Sequence, residues 1–563
     1  MRFLFSAVFL TGFFCFGPLA ATAQTTTTPP TASTTAPVFS HADSLRGGLR
    51  PERTAYDVLF YDLNLSVSPQ NQTIAGSNTI RYKIRQPTTR LQVDLFANMT
   101  ISEITQPDRN GAAKPLTYVR DGNAVFISVP PQPVGKVMSL KISYSGQPRV
   151  AVKPPWDGGF VWQTDSLTGK PWVTVACEGT GASLWWPNKD HLSDEPDSMR
   201  ITCRVPHGLT CIANGTLQRQ REVNTSQTEW TWYVHYPINN YNVTLNIADY
   251  AHIQDEYVSL DRQRLPLDYY VLPGSTDTAR VHFQQVKGML DCYERYFGKF
   301  PFWRDGYKLV ETPYWGMEHQ TAIAYGNHYR NNAFGFDFII IHESGHEYFG
   351  NSLSCADHAE MWIHESFTTY AEALYVECTH SVDRAQTYLN NQRKNIKNQH
   401  PMIGPLGVNY DQPDTDIYYK GTWMLHTLRH AVSNDKLWFG ALKALCTKKR
   451  LSVVTTDEVI DFLTAETKTD LLPLMRQYLR HAALPVLEYQ TIQKNDRETE
   501  LRCRWVADGD GFNLPVKVRF GFGQWQTVRP TREWQTVPLL KTVGWFNVGT
   551  EFGLFQTRAV VGQ

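Results

Sequence analysis

The most informative stretch of this sequence is Phe336-Asp337-Phe338-Ile339-Ile340-Ile341-His342-Glu343-Ser344-Gly345-His346. Its first half is apolar and contains neither Pro nor Gly, which favours a buried helix. Residues four apart on a helix project from the same face, so His342 and His346 can face one point. Two imidazoles so placed can bind one Zn²⁺, and Glu343 beside them is suited to act as general base on metal-activated water.

A candidate third ligand follows eighteen residues after this motif. Glu365 lies in Glu360-Met361-Trp362-Ile363-His364-Glu365-Ser366-Phe367, which also reads as a helix and can return a carboxylate to the metal. Two His and one Glu leave the fourth position of zinc open, which is typical of a catalytic site rather than a structural one. The sequence therefore predicts one zinc ion per chain, bound by His342, His346 and Glu365.

Length and composition are typical of a multidomain globular protein. The chain has 563 residues, too many for one hydrophobic core, so about three domains are expected. It is 42% hydrophobic and 19% charged, with 54 basic and 54 acidic residues. This balance argues against nucleic acid or an anionic membrane as a partner.

The N-terminus has the features of an export signal. Arg2 precedes an apolar run over residues 3–19, and Ala21-Thr22-Ala23 offers a small-x-small cleavage site. A membrane anchor is the weaker alternative, because the run is short and interrupted by Gly and Pro. We predict a signal peptide over residues 1–23 and a Thr/Pro-rich linker over residues 24–50. The mature chain is then exported, to a periplasm or beyond, with no membrane insertion after signal removal.

Hydrophobic periodicity divides the remaining chain into three regions. Residues 51–255 alternate with period two, as over residues 59–67, which predicts an antiparallel β domain with one buried face. Residues 256–484 show helical periodicity and contain the zinc motif, and the capping-box signature Thr455-Thr456-Asp457-Glu458 opens one of the helices. Alternation returns over residues 485–563, which predicts a small β domain of the sandwich type. The predicted fold class is multidomain α+β.

Eight cysteines remain after the signal peptide. Export permits disulfides, but eight are too few for a disulfide scaffold, and none forms a Cys-x-x-Cys pair. Cys203 and Cys211 are near neighbours that can pair across a turn, and buried free thiols are an equally open alternative.

Four ordered motifs resemble those of the aminopeptidase N and leukotriene hydrolase family of zinc peptidases, the gluzincins. The zinc signature is carried by the two histidines, Glu343 and Glu365. Gly316-Met317-Glu318-His319 resembles the family's Gly-x-Met-Glu-Asn exopeptidase motif, and Tyr418-Tyr419-Lys420-Gly421 resembles its Tyr-x-Lys-Gly element. Cys177-Glu178-Gly179 is similar to the segment that the N-terminal domain lends to the active site. The resemblance covers about residues 50–485.

This resemblance implies a thermolysin-like, mainly helical catalytic domain and a zinc aminopeptidase, which the predicted signal peptide would export. Such an enzyme hydrolyses the N-terminal bond of peptides that have a free N-terminus. Glu343 is then the general base, and Tyr418 is the donor that stabilises the oxyanion. Four residues are implied to bind the substrate and its α-ammonium group: Glu178, Gly316, Met317 and Glu318. We expect the chain to act as a monomer.

The chain also departs from the family pattern. His319 stands where the family usually has Asn, and His364 replaces the Asn before the third ligand. Because neither position is a ligand, we expect altered contacts around the site rather than lost activity. We expect the short β domain to stand where the family has its long helical C-terminal domain. An endopeptidase, an epoxide hydrolase using the same zinc site, and a non-enzymatic binding protein remain alternatives, the last opposed by the intact Glu343 and ligand set.

Overall fold

The structure is a computed structural model that describes residues 38–108, 110–495, 498–540 and 544–560, without the side chain of Leu540. The predicted signal peptide and the Thr/Pro-rich part of the predicted linker lie outside the described residues. In the described part of the chain, no helix is both long and apolar enough to cross a membrane.

The N-terminal region is built mainly from β-strands, as the alternating pattern predicts. Its elements are α1 (His41–Gly47), α2 (Pro51–Thr54), β1 (Tyr56–Ser68), β2 (Thr73–Ile84), β3 (Thr88–Asp94), β4 (Met99–Pro107), β5 (Ala113–Pro115), β6 (Tyr118–Asp121), β7 (Ala124–Gln132), β8 (Val137–Gly146), β9 (Gly159–Thr164), β10 (Pro171–Ala176), β11 (Ser198–Pro206), β12 (Thr210–Ala213), β13 (Thr216–Asn224), β14 (Gln227–Val234) and β15 (Leu245–Ala248). Eight strands form one sheet in the order β13-β14-β11-β1-β2-β8-β4-β5, and smaller sheets have the orders β12-β15-β10-β9 and β3-β7-β6. Neighbouring strands are antiparallel except for β1 and β11, which pair in parallel.

The first long strand shows how the alternation becomes a buried face. Tyr61, Leu63, Leu65 and Val67 are buried, and the polar residues between them are half-exposed. The sequence pattern places Leu59 on the same face, but Leu59 is only half-buried. The pairing of β1 with β2 shifts register at this point, and a β-bulge changes which face the following side chains meet.

The middle region combines a mixed sheet with helices. Its elements are β16 (Ala251–Val258), β17 (Arg264–Val271), α3 (Thr276–His282), α4 (Gln285–Phe297), β18 (Tyr307–Glu311), β19 (Gly316–Met317), β20 (Ile323–Tyr325), α5 (Phe338–Gly345), β21 (Leu353–Cys355), α6 (Trp362–Thr379), α7 (Val382–Arg393), α8 (Tyr419–Val432), α9 (Asp435–Lys448), β22 (Ser452–Val454), α10 (Thr456–Thr467) and α11 (Leu472–Arg480). The five-stranded sheet has the order β16-β17-β18-β20-β19. The predicted boundary between residues 255 and 256 falls inside β16, which pairs with β17, so the sheet of this region begins at Ala251. The predicted capping box opens α10.

A small β region ends the chain. Its strands are β23 (Val486–Gln493), β24 (Glu498–Val506), β25 (Val516–Phe520), β26 (Gln526–Val528), β27 (Gln535–Leu540), β28 (Phe546–Val548) and β29 (Gln556–Ala559). They form two sheets, in the orders β27-β24-β23-β29 and β26-β25-β28. Short 3₁₀ turns lie at Ala182–Leu184, Asn240–Asn242, Pro273–Ser275, His358–Glu360 and Thr550–Phe552. The multidomain α+β class, with a mainly helical region between two β regions, is confirmed.

The helix α1 corrects the linker prediction, which extended to residue 50. Ser40 and Asp43 cap α1 reciprocally, each accepting a hydrogen bond from the backbone N–H of the other. Arg46 then donates hydrogen bonds to the backbone oxygen of Gly179 and to Asn409 Oδ1. Residues 41–47 are therefore a docked helix, because this segment has partners in the fold.

One disulfide joins two helices of the middle region. Cys292 of α4 is bonded to Cys378, near the end of α6. The two cysteines are 86 residues apart in sequence, so no local spacing indicates the pair. Cys203 and Cys211 are buried free thiols, which decides between the two alternatives that the sequence left open.

Candidate active site

The helix α5 carries the first two candidate metal ligands. Asp337 caps its N-terminus by accepting a hydrogen bond from the backbone N–H of Ile339 at 3.0 Å. The apolar residues predicted to bury this helix do so: Ile339, Ile340 and Ile341 are almost fully buried. His342 lies in the last turn, and the backbone N–H of His346 donates to the His342 carbonyl oxygen, so the two side chains are one turn apart.

The three predicted ligands converge on one point. His342 Nε2 and His346 Nε2 are 3.3 Å apart, and Glu365 Oε2 lies 3.6 Å from the first and 3.5 Å from the second. Ligands at about 2.1 Å from a tetrahedral zinc ion are about 3.4 Å from each other. Glu365 Oε2 is buried and has no hydrogen-bond partner among the described residues, which is costly unless a cation binds it. The three side chains therefore fit a zinc ion.

Both histidines are held with Nε2 facing this point. His342 Nδ1 lies 2.7 Å from Glu372 Oε1, and His346 Nδ1 lies 3.0 Å from the backbone oxygen of Phe349. Since those oxygens only accept, each ring has a proton on Nδ1, which leaves Nε2 as the nitrogen that can bind a metal ion. Sequence analysis missed Glu372, although its position seven residues after Glu365 places both on one face of α6.

The Glu343 carboxylate is buried beside the metal point. Its carboxylate lies over Gly316, where a Cβ atom would come within 2.6 Å of Glu343 Oε1. The motif thus needs glycine at position 316 to leave room for this carboxylate. Burial raises the pKa of Glu343 to about 7, so the group can both accept and return a proton near neutral pH.

Glu318 and Glu178 reach the site from different regions. Glu318 follows β19, and its Oε1 accepts a hydrogen bond from Tyr241 Oη at 3.0 Å. Ligand atoms of Glu318, Glu343 and His346 lie within 4.8 Å of one another, so Glu318 borders the metal point. Glu178 follows β10 of the N-terminal region. Burial, together with the charge of Glu318, raises the pKa of Glu178 well above its usual range.

The Tyr-x-Lys-Gly element contributes Tyr418 to the cavity and Lys420 to packing outside it. Tyr418 precedes α8, and its ring lies against that of His342 with centroids 6.2 Å apart. Burial raises the pKa of Tyr418 well above its usual range, which keeps the hydroxyl protonated as a donor. Lys420 Nζ donates to the backbone oxygens of His481 and Ala482 at 2.8 Å each, beyond the end of α11.

All nine predicted site residues line one cavity of about 750 Å³. They are Glu178, Gly316, Met317, Glu318, His342, Glu343, His346, Glu365 and Tyr418. Seven of the described lining residues are acidic, and none is lysine or arginine. A cavity with this charge suits positively charged ligands.

The two departures from the family pattern have different surroundings. His319 is fully buried, and neither ring nitrogen has a hydrogen-bond partner among the described residues. His364 Nε2 accepts a hydrogen bond from the backbone N–H of Cys355 at 2.9 Å. Burial lowers the pKa of His364 to about 3, so this ring is neutral.

Comparison with known families agrees with this geometry. The Peptidase M1 N-terminal domain matches residues 58–241, and the Peptidase family M1 domain matches residues 282–478.

The chain belongs to peptidase family M1.

Known M1 proteins are similar to it at low identity. Endoplasmic reticulum aminopeptidase 1 of Rattus norvegicus is 21% identical over 418 residues, which cover 69% of this chain and 44% of that protein. Aminopeptidase B of Mus musculus is 22% identical over 453 residues, 72% of this chain and 66% of that protein. The chain thus spans less than two-thirds of the length of these relatives.

A solved M1 structure has the same fold. The M1 zinc metallopeptidase from Deinococcus radiodurans superposes with a TM-score of 0.65 and is 22% identical. The match covers 76% of this chain and 95% of that one. The predicted resemblance to the aminopeptidase N and leukotriene hydrolase family is confirmed by these matches.

Proposed function

We propose that this chain is a zinc-dependent aminopeptidase that removes single residues from the N-termini of peptides. One observation carries the proposal: a single cavity contains the three converging ligand atoms, a buried base and two further carboxylates. Membership of family M1 and similarity to two proteins named as aminopeptidases support the same reaction class.

His342, His346 and Glu365 would hold one zinc ion per chain. When bound, the ion supplies a Lewis acid that polarises the scissile carbonyl and lowers the pKa of water in the site. Glu343 accepts the proton of the attacking water and returns it to the leaving amine, a role for which a pKa of about 7 is suited. Tyr418 donates its hydroxyl hydrogen to the oxyanion that develops on the substrate.

Glu318 and Glu178 are proposed to bind the α-ammonium group of the substrate. A free α-amino group has a pKa of about 8 and is mostly protonated at neutral pH. The raised pKa of both carboxyl groups reflects burial among like charges, which a bound ammonium group would relieve. Binding of the ammonium group beside Glu343 places the first peptide bond of the substrate at the metal. This accounts for the removal of one residue at a time.

Export is part of the proposal. The apolar segment at residues 3–19 with its small-x-small site favours a cleaved signal peptide. The disulfide between Cys292 and Cys378 is compatible with an oxidising compartment such as a periplasm.

A panel of fluorogenic substrates tests the reaction class. Aminoacyl amides with different side chains and their N-acetylated counterparts are assayed with and without a zinc chelator. We expect chelator-sensitive cleavage of the free aminoacyl amides and at most weak cleavage of the acetylated ones. Efficient cleavage of acetylated peptides at internal bonds would instead identify an endopeptidase.

A further inference from the structure

A chain of hydrogen bonds connects α6, the helix that carries Glu365, with Glu318. The backbone N–H of Cys355 donates to His364 Nε2 at 2.9 Å. His364 Nδ1 lies 3.4 Å from Tyr241 Oη, and Tyr241 Oη lies 3.0 Å from Glu318 Oε1. The members come from three parts of the fold: α6 contributes His364, the 3₁₀ turn Asn240–Asn242 contributes Tyr241, and the loop after β19 contributes Glu318.

The direction of each bond in this chain follows from the donors. Because His364 Nε2 accepts from a backbone N–H, it carries no proton, and the neutral ring has its proton on Nδ1. His364 Nδ1–H therefore donates to Tyr241 Oη. The Tyr241 hydroxyl in turn donates to Glu318, since a carboxylate only accepts. Every donor in the chain thus points toward Glu318.

The same 3₁₀ turn also supports the backbone of Glu318. Asn242 Nδ2 donates to Asn351 Oδ1 at 2.7 Å, and Asn351 Nδ2 donates to the backbone oxygen of Glu318 at 2.8 Å. The turn holds the carboxylate through Tyr241 and the main chain through Asn351. Glu318 therefore has little freedom to rotate or shift.

We infer that Tyr241 and His364 are positioning residues, which fix the Glu318 carboxylate so that its second oxygen meets the substrate ammonium. This inference rests on the proposed function, in which Glu318 binds that group. A hydroxyl donor on Oε1 fixes that oxygen and leaves Oε2 for the ammonium. His364 acts through Tyr241, and Tyr241 acts through Glu318.

Two inhibitors that differ only in the amine measure this effect directly. Leucine hydroxamate carries the α-ammonium group, and 4-methylpentanohydroxamate is the same molecule without it. The ratio of their inhibition constants reports how well the enzyme binds the amine. In Tyr241→Phe we expect this ratio to fall about tenfold, the scale of one hydrogen bond to a charged group, while the constant of the amine-free compound changes little.

A double-mutant cycle tests whether Tyr241 acts through Glu318. Glu318→Ala should lower the inhibitor ratio, and adding Tyr241→Phe to that variant should lower it no further. If Glu318→Ala lowers the ratio but Tyr241→Phe does not, the inference is overturned and the proposed function stands. If Glu318→Ala leaves the ratio unchanged, Glu318 does not bind the ammonium and that part of the proposed function fails. Equal weakening of both inhibitors in Tyr241→Phe would show a general structural defect and would also overturn the inference.

Two conservative variants distinguish the roles of the two ring nitrogens of His364. Asn carries an amide N–H near the position of His Nδ1, whereas Gln carries its carbonyl oxygen near the position of His Nε2. We expect His364→Asn to retain the inhibitor ratio within about twofold and His364→Gln to lower it, because only the former keeps a donor for Tyr241. Thermal melting and zinc content are measured on both variants. Equal ratios in the two folded, zinc-loaded variants would overturn the role of His364.

Discussion

At the scale of single residues, Glu343 and the metal ligands have separable tasks. The three ligand atoms that converge belong to His342, His346 and Glu365, and none belongs to Glu343. Glu343→Gln should therefore retain zinc while kcat falls by roughly two to four orders of magnitude, the usual contribution of a general base. Zinc analysis and steady-state kinetics on the same preparation check both parts. Loss of zinc in Glu343→Gln would show that Glu343 is needed to form the metal site.

Tyr418 is the second residue whose role can be isolated. Tyr418→Phe removes a donor that is needed only once the oxyanion forms, so we expect kcat to fall by roughly two to three orders of magnitude with KM almost unchanged. Tyr419 lines the same cavity and is the matched control, because the family resemblance assigns it no role. A similar kcat for Tyr418→Phe and Tyr419→Phe would make Tyr418 a structural residue.

At the scale of elements, the contact between α6 and α8 sets the position of Glu365 relative to Tyr418. A Cβ atom on Gly421 of α8 would come within 1.7 Å of Ser366 Oγ on α6. Ser366 Oγ in turn donates to the backbone oxygen of Ile417 at 2.6 Å. The close packing of α6 and α8 therefore requires glycine at position 421. Lys420 beside it donates hydrogen bonds to backbone oxygens that follow α11.

Gly421→Ala should destabilise the protein for this reason. We expect the free energy of unfolding to fall by about 1–3 kcal/mol, the usual cost of overpacking a close contact. Gly440→Ala in α9 is the matched control, since a Cβ atom there meets nothing within 4 Å. That variant should be neutral or more stable by about 0.5–1 kcal/mol, because alanine favours a helix over glycine. Denaturant unfolding of both variants decides the point, and equal stabilities would contradict the packing argument.

At the scale of the whole molecule, the site depends on cations to balance its carboxylates. Glu178, Glu318, Glu343 and Glu365 line one cavity to which no described lysine or arginine contributes. Removal of zinc should abolish peptidase activity and lower the melting temperature, because a ligand that binds only the native state stabilises it. Glu365→Ala should contain less zinc after dialysis than the wild type, since two imidazoles leave the ion under-coordinated. Unchanged zinc content in Glu365→Ala would reject the ligand assignment.

The sequence alone predicted the features that follow from the period of a helix or a strand. His342, Glu343 and His346 fall within one helical turn, so their shared face follows from helix geometry. Alternation along β1 likewise predicted its buried face except at the bulge, because side chains of a strand point to opposite sides. Family motifs added Glu318, Glu178 and Tyr418, and all three line the cavity that contains the metal ligands.

Only the tertiary structure decided which distant residues support this site. Tyr241 is 77 residues from Glu318, and Cys292 is 86 residues from Cys378, so no local period links either pair. The docking of α1 through Arg46 was likewise hidden, because its partner Asn409 lies 363 residues away. Helix and strand periods are set by neighbouring residues and can be read from a short window. Contacts between elements depend on how whole surfaces pack, and that information is spread over the entire chain.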